Sequence, residues 1–441
     1  MTPRERLFAL EHFGIKLGLD NITALVESLN RPDQAFPTIH IGGTNGKGSV
    51  TAMVERGLRA AGHRTGRYTS PHLTDLEERI AIDGVSIARE AFDQITADVM
   101  GVVDRLMDTG GLEHPPTFFE VTTAIALEAF RRAGVSVGVI EVGLGGRFDA
   151  TNVIRPVVSA ITSIASDHER HLGTSLAQIA FEKAGIIKRG VPVVAGVMSE
   201  EAGQVIADTA RSAAAPLTWA IPSATGRPVE LALNGAHQHA NAAVAVEVLR
   251  LCAFGPAEAG PRSKRTNPAE ILPRVALTRD AIVAALTDVE WPARLEWLRL
   301  KDGDVLLDAA HNPAGAQALA DYVLSSVGPL PLVCSIMRDK DVSAIARALA
   351  PGVSRFVATT APTPRALPAR ELAEHIHRAV PEAVVECQDN TDAAIRQSLA
   401  GTPRAMVAGS IFLVGPVRAG LLARGATPVR YSSKASPFYL D

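Results

Sequence analysis

The chain has 441 residues, too many for one hydrophobic core of ordinary size, so two domains are expected. Charged residues make up 21% and the formal net charge is -3, which leaves no basic excess to attract nucleic acid. The start, Met1-Thr2-Pro3-Arg4-Glu5-Arg6, is charged where a secretory signal is apolar, and no apolar stretch approaches the ~20 residues of a membrane span, so a cytoplasmic protein away from membranes is expected.

Thr2-Pro3-Arg4-Glu5 opens a first helix as a capping box with proline at its first position, and Asp20 is expected to cap a second. Ile39 to Ser49, followed by Val50, Met53, Val54, Gly57, Leu58 and Ala61, reads as a strand, a glycine loop and a helix in direct succession. In such a loop the backbone N–H groups of Thr44, Asn45, Gly46 and Gly48 turn toward one centre beside the positive helix start. Lys47 reaches terminal phosphate oxygens and Ser49 is suited to Mg²⁺, so the loop implies a bound nucleoside triphosphate. It departs from the long form of the motif, with Ile41 five positions before Gly46 and Gly48 between Lys47 and Ser49.

Apolar runs at Val135 to Val142, Val157 to Ile164 and Val191 to Gly196 read as parallel strands covered on both faces, separated by helices. Phe254 to Pro273, rich in Gly, Pro and charge, reads as a surface insertion, and Trp291-Pro292-Ala293-Arg294 as the inter-domain link. Beyond it, strand-like Asp304 to Ala309, Pro331 to Ile336, Arg355 to Thr359, Ala383 to Cys387 and Ala405 to Ala408 alternate with four helical stretches, which describes a second, smaller α/β domain. Cys252, Cys334 and Cys387 are far apart in apolar stretches and are expected to be buried free thiols.

One residue conflicts with its surroundings. On a helix beginning at Ser175, Leu176, Ile179, Ala180 and Ile187 form one apolar stripe with Lys183 at its centre. An ammonium there must meet a carboxylate, lose its proton, be chemically modified, or snorkel to solvent. Glu141 ends an apolar strand just before a glycine turn, where open α/β sheets place ligands; a dinucleotide pattern starting at Gly143 and Gly145 breaks at Phe148. Asp167-His168 follows the next strand, and the two side chains of Glu141 and His168 suit a shared Mg²⁺. Arg294 lies at the link, well placed to reach a phosphate. Asp308 and His311 end the first strand of the second domain, either as helix caps or as parts of the nucleotide site, and Asn241 is a polar residue near the start of an otherwise apolar helix.

Taken in order, Gly43-Thr44-Asn45-Gly46-Lys47-Gly48-Ser49, Tyr68-Thr69-Ser70-Pro71-His72-Leu73, Glu78-Arg79-Ile80, Phe119-Glu120, Glu141 to Asn152, Asp167-His168, Glu182 to Ile187, the Arg294 motif and Asp308 to Pro313 resemble the folylpolyglutamate synthase and dihydrofolate synthase family of Mur-type ATP-dependent amide ligases. The resemblance implies an N-terminal P-loop ATPase-like domain with a mostly parallel sheet over residues 1–292, binding ATP and pterin. It implies a Rossmann-like α/β glutamate-ligase domain over 293–441. It also implies Mg²⁺, two ions, with ligands Ser70, Glu141 and His168; a carbamylated Lys183; and ATP contacts from Asn241, Arg294 and Asp308 beside the phosphate loop. Pterin contacts are implied around Ile15, Leu17, Thr117, Phe118, Phe119, Glu120, Phe148, Asp149 and Ala150.

The implied reaction joins L-glutamate to the carboxylate of dihydropteroate or of a folate through an acyl phosphate, with Lys47, Lys183 and His311 as catalytic residues in a monomeric enzyme. Lys16 stands where the family often has an acid, and the tail from Arg430 to Asp441 matches no motif. A monofunctional folylpolyglutamate synthase, a Mur-type ligase of cell-wall precursors and a nucleotide-binding regulatory protein that uses the hinge as a switch stand as alternatives.

Overall fold

A computed structural model describes residues 1–14, 18–254, 277–431 and 437–440. The described residues build two large sheets and one two-stranded ribbon. The first holds β1 (Thr38–Gly42), β2 (Thr65–Tyr68), β3 (Ile80–Ile82), β4 (Val85–Ser86), β5 (Val137–Glu141), β6 (Val158–Ile161), β7 (Val193–Ala195) and β8 (Leu217–Trp219), in the order β4-β3-β2-β5-β1-β6-β7-β8. All neighbours from β2 to β8 run parallel, while β3 and β4 are antiparallel. Every residue of β1 and β5 is buried, as continuous Val and Ile runs require when helices cover both faces. Helices Arg89–Asp108 and Phe118–Ala133 pack on one face around Tyr68 and Ile140; Lys47–Ala60, His237–Phe254 and Arg279–Thr287 pack on the other around Ile39, Ile41 and Val139.

After β9 (Arg227–Val229), the second sheet comprises β10 (Glu296–Leu300), β11 (Gly303–Leu307), β12 (Leu330–Cys334), β13 (Val353–Ala358), β14 (Val385–Cys387), β15 (Arg404–Ala408) and β16 (Thr427–Val429), ordered β14-β13-β12-β15-β11-β10-β16. The five strands from β14 to β11 run parallel, and β10 and β16 continue the sheet antiparallel on the other side, which the sequence reading did not identify. Glu296-Trp297-Leu298-Arg299-Leu300, paired with both β11 and β16, mixes charge with apolar residues and offers no continuous apolar run, so its strand character was hidden beside the Arg294 motif.

Three local expectations are corrected. The cap position of the second helix is Leu19, without a side-chain bond, and Asp20 is the first helical residue, where its charge still favours the helix start. Cys252 and Cys334 are buried, but Cys387 is exposed because β14 is the sheet edge. The last strand, β17 (Phe438–Leu440), does not belong with residues 293–441: it pairs antiparallel with β9 and packs in the first core, where Phe438 and Leu440 bury their side chains. The insertion is outside the described residues from Gly255 on, as are Ile15, Lys16 and Leu17. Among the described residues no helix is long and apolar enough to cross a membrane.

Candidate active site

β1 runs between β5 and β6, and the chain leaves it for β2 on one side while β5 later crosses over it to β6. Such a reversal opens a crevice at the strand ends, and the glycine loop lies there. Gly43 has φ +138° and Gly46 has φ +85°; a Cβ on Gly43 would stand 2.0 Å from Thr162 Oγ1, and one on Gly46 2.1 Å from Asn241 Oδ1. Only glycine fits both positions. The loop is tied to the end of β6: Thr44 N–H donates to the Ser163 carbonyl at 2.7 Å, Asn45 N–H to Ser163 Oγ at 3.1 Å, and Thr162 Oγ1 to the Asn45 carbonyl at 2.6 Å. Gly46 is the cap of helix Lys47–Ala60 and offers no side-chain acceptor, so the helix start keeps its partial positive charge, which suits an anion. Ser49 Oγ accepts from Gln238 Nε2 at 3.4 Å, and Gln238 Oε1 accepts from Asn241 at 2.8 Å, which joins Asn241 to the loop.

Lys183 is buried, as its position in the apolar stripe requires, on helix Leu176–Ala184; Ile187 lies beyond the helix end. Among the described residues it meets no carboxylate. Its Nζ donates to the Gly43 carbonyl at 3.0 Å, and Lys47 Nζ donates to that same oxygen and to the Thr44 carbonyl, at 3.1 Å each. Burial, then the charge of Lys47, push the Lys183 ammonium down to about 7. Glu141, at the end of β5, is buried and accepts the Ser70 N–H at 3.2 Å. Burial raises its carboxyl above the ordinary value against the opposing charges of Lys47, Arg294 and Arg67.

A second cluster bridges the two sheets. Asp167, after β6, takes Lys340 Nζ at 2.5 Å and Asn312 Nδ2 at 3.3 Å, and Asn312 Nδ2 also donates to Asn45 Oδ1 at 2.9 Å. His168 Nε2 and His311 Nε2 each stand 3.7 Å from Asp167 Oδ2, too far for a hydrogen bond but close enough to feel its charge. Burial alone would raise Asp167, yet the neighbouring His311, His168 and Lys340 outweigh it and hold the carboxyl far below the carboxylate range. Burial brings the His168 imidazole down to about 4, which leaves it neutral at pH 7, the form that ligates metal. His311 Nδ1 is 2.8 Å from the Ala309 carbonyl. Neither Asp308 nor His311 caps helix Pro313–Ser326; Asn312 does, through Gly315 N–H.

Asp308 is buried behind the link. Its two oxygens accept Leu295 N–H at 2.9 Å and Ala310 N–H at 2.8 Å, and burial raises its carboxyl against the charge of Arg294. Arg294 donates to the Ala293 carbonyl at 2.9 Å, and its charge also reaches Glu141.

A family model for the Mur ligase glutamate ligase domain matches residues 293–411. The folylpolyglutamate synthase of Lacticaseibacillus casei is 34% identical over 429 residues, spanning 91% of this chain and 94% of that protein. The chain belongs to the folylpolyglutamate synthase/dihydrofolate synthase family. A Mycobacterium tuberculosis relative named dihydrofolate synthase/folylpolyglutamate synthase is 37% identical over 389 residues, 80% of this chain and 76% of the relative. The solved Mycobacterium tuberculosis folylpolyglutamate synthase complexed with ADP matches at TM-score 0.81 and 32% identity, over 97% of this chain and all (100%) of that one. A bifunctional folylpolyglutamate synthase/dihydrofolate synthase with Mn, AMPPNP and L-glutamate bound matches at TM-score 0.78 and 30% identity, over 96% of this chain and 98% of that one. The chain is thus an ATP-dependent ligase of two α/β units.

Several residues that the family resemblance assigns to the pterin have structural employment here. Thr117 and Glu120 form the capping box of helix Phe118–Ala133, with Glu120 Oε2 accepting Thr117 N–H at 2.7 Å and Thr117 Oγ1 at 2.8 Å. Asp149 caps the short turn Ala150–Val153 and accepts Leu144 N–H at 2.8 Å and the Thr151 hydroxyl, so its carboxylate shapes the glycine turn after Glu141. Ala150 is buried in the first core, Phe118 stacks on Phe8 at 6.0 Å, and Phe119 packs against Gly143 and Tyr68. Phe148 is exposed. Lys340 was missed by the sequence reading. The charged triplet Asp339-Lys340-Asp341 just beyond the end of parallel strand β12 was the available signal.

Proposed function

We propose that this ligase couples ATP cleavage to addition of L-glutamate to the carboxylate of dihydropteroate and, in further cycles, to that of folates. The convergence of Lys47 and Lys183 on the Gly43 carbonyl, inside a phosphate loop and with the charge of Lys47 acting on buried Glu141, carries the reading. Relatives bearing both activities in their names support the dual specificity. The unit binding ATP and pterin is assigned to residues 1–292 with Phe438–Leu440 returned to it, and the glutamate-ligase unit begins at 293. Action as a cytoplasmic monomer is part of the proposal.

A pterin carboxylate is a poor electrophile, so one of its oxygens attacks the γ-phosphorus and ADP leaves. Lys47, the loop N–H groups and Arg294 offset the charge on the transferred group. The glutamate amine then attacks the acyl carbon, phosphate leaves, and the amine proton passes to a base, for which His311 is placed at the mouth of the second unit. Contact between the units through Asp167, Lys340 and Asn312 keeps water from the acyl phosphate.

Among the described residues no three His, Cys, Asp or Glu side chains cluster as metal ligands. A buried carboxylate that holds a single N–H, beside the hydroxyl residue Ser70, is nevertheless a hard-oxygen set of the kind Mg²⁺ takes. Glu141 and Ser70, with neutral His168, are the residues that would hold Mg²⁺. When bound, Mg²⁺ polarises the phosphate oxygens and neutralises their charge. Lys183, with its lowered basicity, is positioned to become a carbamate: the neutral amine attacks CO₂, a C–N bond forms, one proton leaves, and the side chain becomes an anion.

The experiment is direct. Purified protein with ATP and L-glutamate is given dihydropteroate or tetrahydrofolate in turn, with ADP and product mass followed. ADP release and a one-glutamate mass increase with each acceptor are expected. ADP release indifferent to glutamate and pterin would end the proposal, and product from folate alone would reduce it to one activity.

A further inference from the structure

The link between the units contains two non-glycine residues in left-handed backbone, Ala293 at φ +58° and Leu295 at φ +50°, both fully buried. Such conformations persist only where surroundings over-determine them. Each polar backbone group flanking Arg294 is held. The Ala293 carbonyl accepts Ala309 N–H at 3.0 Å, Leu295 N–H goes to Asp308 at 2.9 Å, and the Leu295 carbonyl accepts Asn234 Nδ2 at 3.0 Å. The Ala293 N–H goes to Glu296 Oε2 at 2.9 Å. Glu296 is gripped in turn by Arg418, whose Nε and Nη2 reach both carboxylate oxygens at 2.8 to 3.1 Å.

We propose that Glu296, fixed by Arg418, is a positioning residue that holds the left-handed turn at Ala293 and thereby aims Arg294 at the nucleotide phosphates. The proposal rests on the reading above that Arg294 meets those phosphates. Glu296 itself works at one remove. Its carboxylate meets the Ala293 N–H and the Arg418 guanidinium, and it reaches the reacting atoms only through the backbone that carries Arg294. A paired carboxylate is a stronger acceptor than water for the Ala293 N–H, so the turn is ordered before ATP arrives.

The test is a cycle on the full chain: wild type, Arg294→Ala, Glu296→Ala, the double variant, and Glu296→Ala with Ala293→Gly. Glutamate-dependent ADP release, affinity for AMPPNP by calorimetry, and thermal melting are measured for each. Arg294→Ala is expected to lower kcat by ~100-fold and Glu296→Ala by ~10-fold, with the double variant no slower than Arg294→Ala alone. The KM for glutamate is expected to hold. Ala293→Gly should restore part of the Glu296→Ala loss, because glycine adopts the turn without strain. Losses that multiply in the double variant, or wild-type kcat and AMPPNP affinity in Glu296→Ala, overturn the proposal. An inert Arg294→Ala removes the role of Arg294 instead, visible in that single variant, and the positioning role falls with it. If turnover is absent even in the wild type, the ligase reading fails separately, and the AMPPNP cycle still decides whether the two residues act as one.

Discussion

Lys47 and Lys183 donate to one acceptor, the Gly43 carbonyl oxygen, at 3.1 and 3.0 Å. Burial first, and then the charge of Lys47 on the same oxygen, push the Lys183 ammonium down to about 7. The neutral amine is therefore well populated at neutral pH and is a nucleophile for CO₂. With ¹³C-bicarbonate, wild-type protein is expected to show a carbamate ¹³C resonance that Lys183→Met lacks. Lys183→Ala should lose at least ~100-fold in turnover and recover part with added acetate. Full activity in Lys183→Ala would remove the carbamate from the mechanism.

The same lysine sets a pH dependence. Its folded-state value, about 7, is below its ordinary 10.5, so the unfolded chain binds the proton more tightly. The cost is complete below pH 7 and is relieved as pH rises toward 10.5, so stability gains from this group over that window. In CO₂-free buffer, denaturant titrations of Lys183→Met should show a shallower rise with pH than the wild type.

His40 acts at the acid end. It is wholly buried on β1, with Nε2 2.9 Å from Thr151 Oγ1, and burial, then Lys188, bring it down to about 3. A lowered folded value means stability is lost as pH falls below its usual 6.5 and continues to fall to about 3. His40→Gln is expected to flatten this slope by up to about 1.4 kcal/mol per pH unit, read from urea midpoints at pH 4 to 6.5.

Asp167 and Lys340 join the two units through a pair in which each side chain is about a tenth exposed, 9% and 10%. Removing Lys340 takes the ammonium from a buried carboxylate that keeps the Asn312 amide and the His168 N–H, at a cost of up to ~3–5 kcal/mol. Lys340→Met should lower kcat/KM by ~10 to 100-fold and widen the particle in X-ray scattering. Because the pair is shielded, the wild-type activity should respond weakly to added salt. An unchanged radius of gyration with lost activity would show that Lys340 contributes chemistry and not closure.

Gly415, inside helix Ile411–Ala423, lies so close to the loop after Ser70 that a Cβ would stand 1.8 Å from the Leu73 carbonyl oxygen. Gly415→Ala is expected to displace that loop and lower kcat by ~10-fold or more while the protein melts as a folded species. Gly420, in the same helix, has only the flexible Arg424 side chain near it, at 3.7 Å, and Gly420→Ala should be active and slightly more stable. Equal behaviour of the two variants would defeat the contact argument.

β17 ties the end of the chain back to the first unit, with Leu440 O accepting from Arg279 Nη2 at 3.2 Å. Deleting 437–441 uncovers Phe438 and Leu440 contacts worth about 3–6 kcal/mol together, at ~1.5–3 kcal/mol per buried side chain. A lower melting temperature with ATP affinity retained is the expected result, by calorimetry.

Much of the site could be read locally. The glycine loop announced itself because Gly43 and Gly46 fall between a strand and a helix, and Lys183 because one charge sits amid Leu176, Ile179 and Ala180. The exposure of Cys387 escaped because the edge position of β14 depends on strand order, which no single segment encodes, and β10 escaped because its antiparallel partners β11 and β16 are what make it a strand. The family resemblance implies pterin contacts at Thr117, Glu120 and Asp149, while the capping-box pattern of Thr117 with Glu120 three residues on is legible without any structure.

Periodicity and turn chemistry are properties of a few adjacent residues, so the sequence by itself determined the elements, the phosphate loop, the family and the anomaly at Lys183. Which groups meet depends on contacts across long separations: Lys183 to Gly43 over 140 residues, Asp167 to Lys340 over 173. Tertiary structure alone decided that Lys183 answers to a carbonyl and a second lysine, that Asp308 clamps the link, and that the last strand returns to β9 and the first core. Burial and neighbouring charge, the quantities that shift a pKa or aim a guanidinium, exist only once the chain has closed on itself.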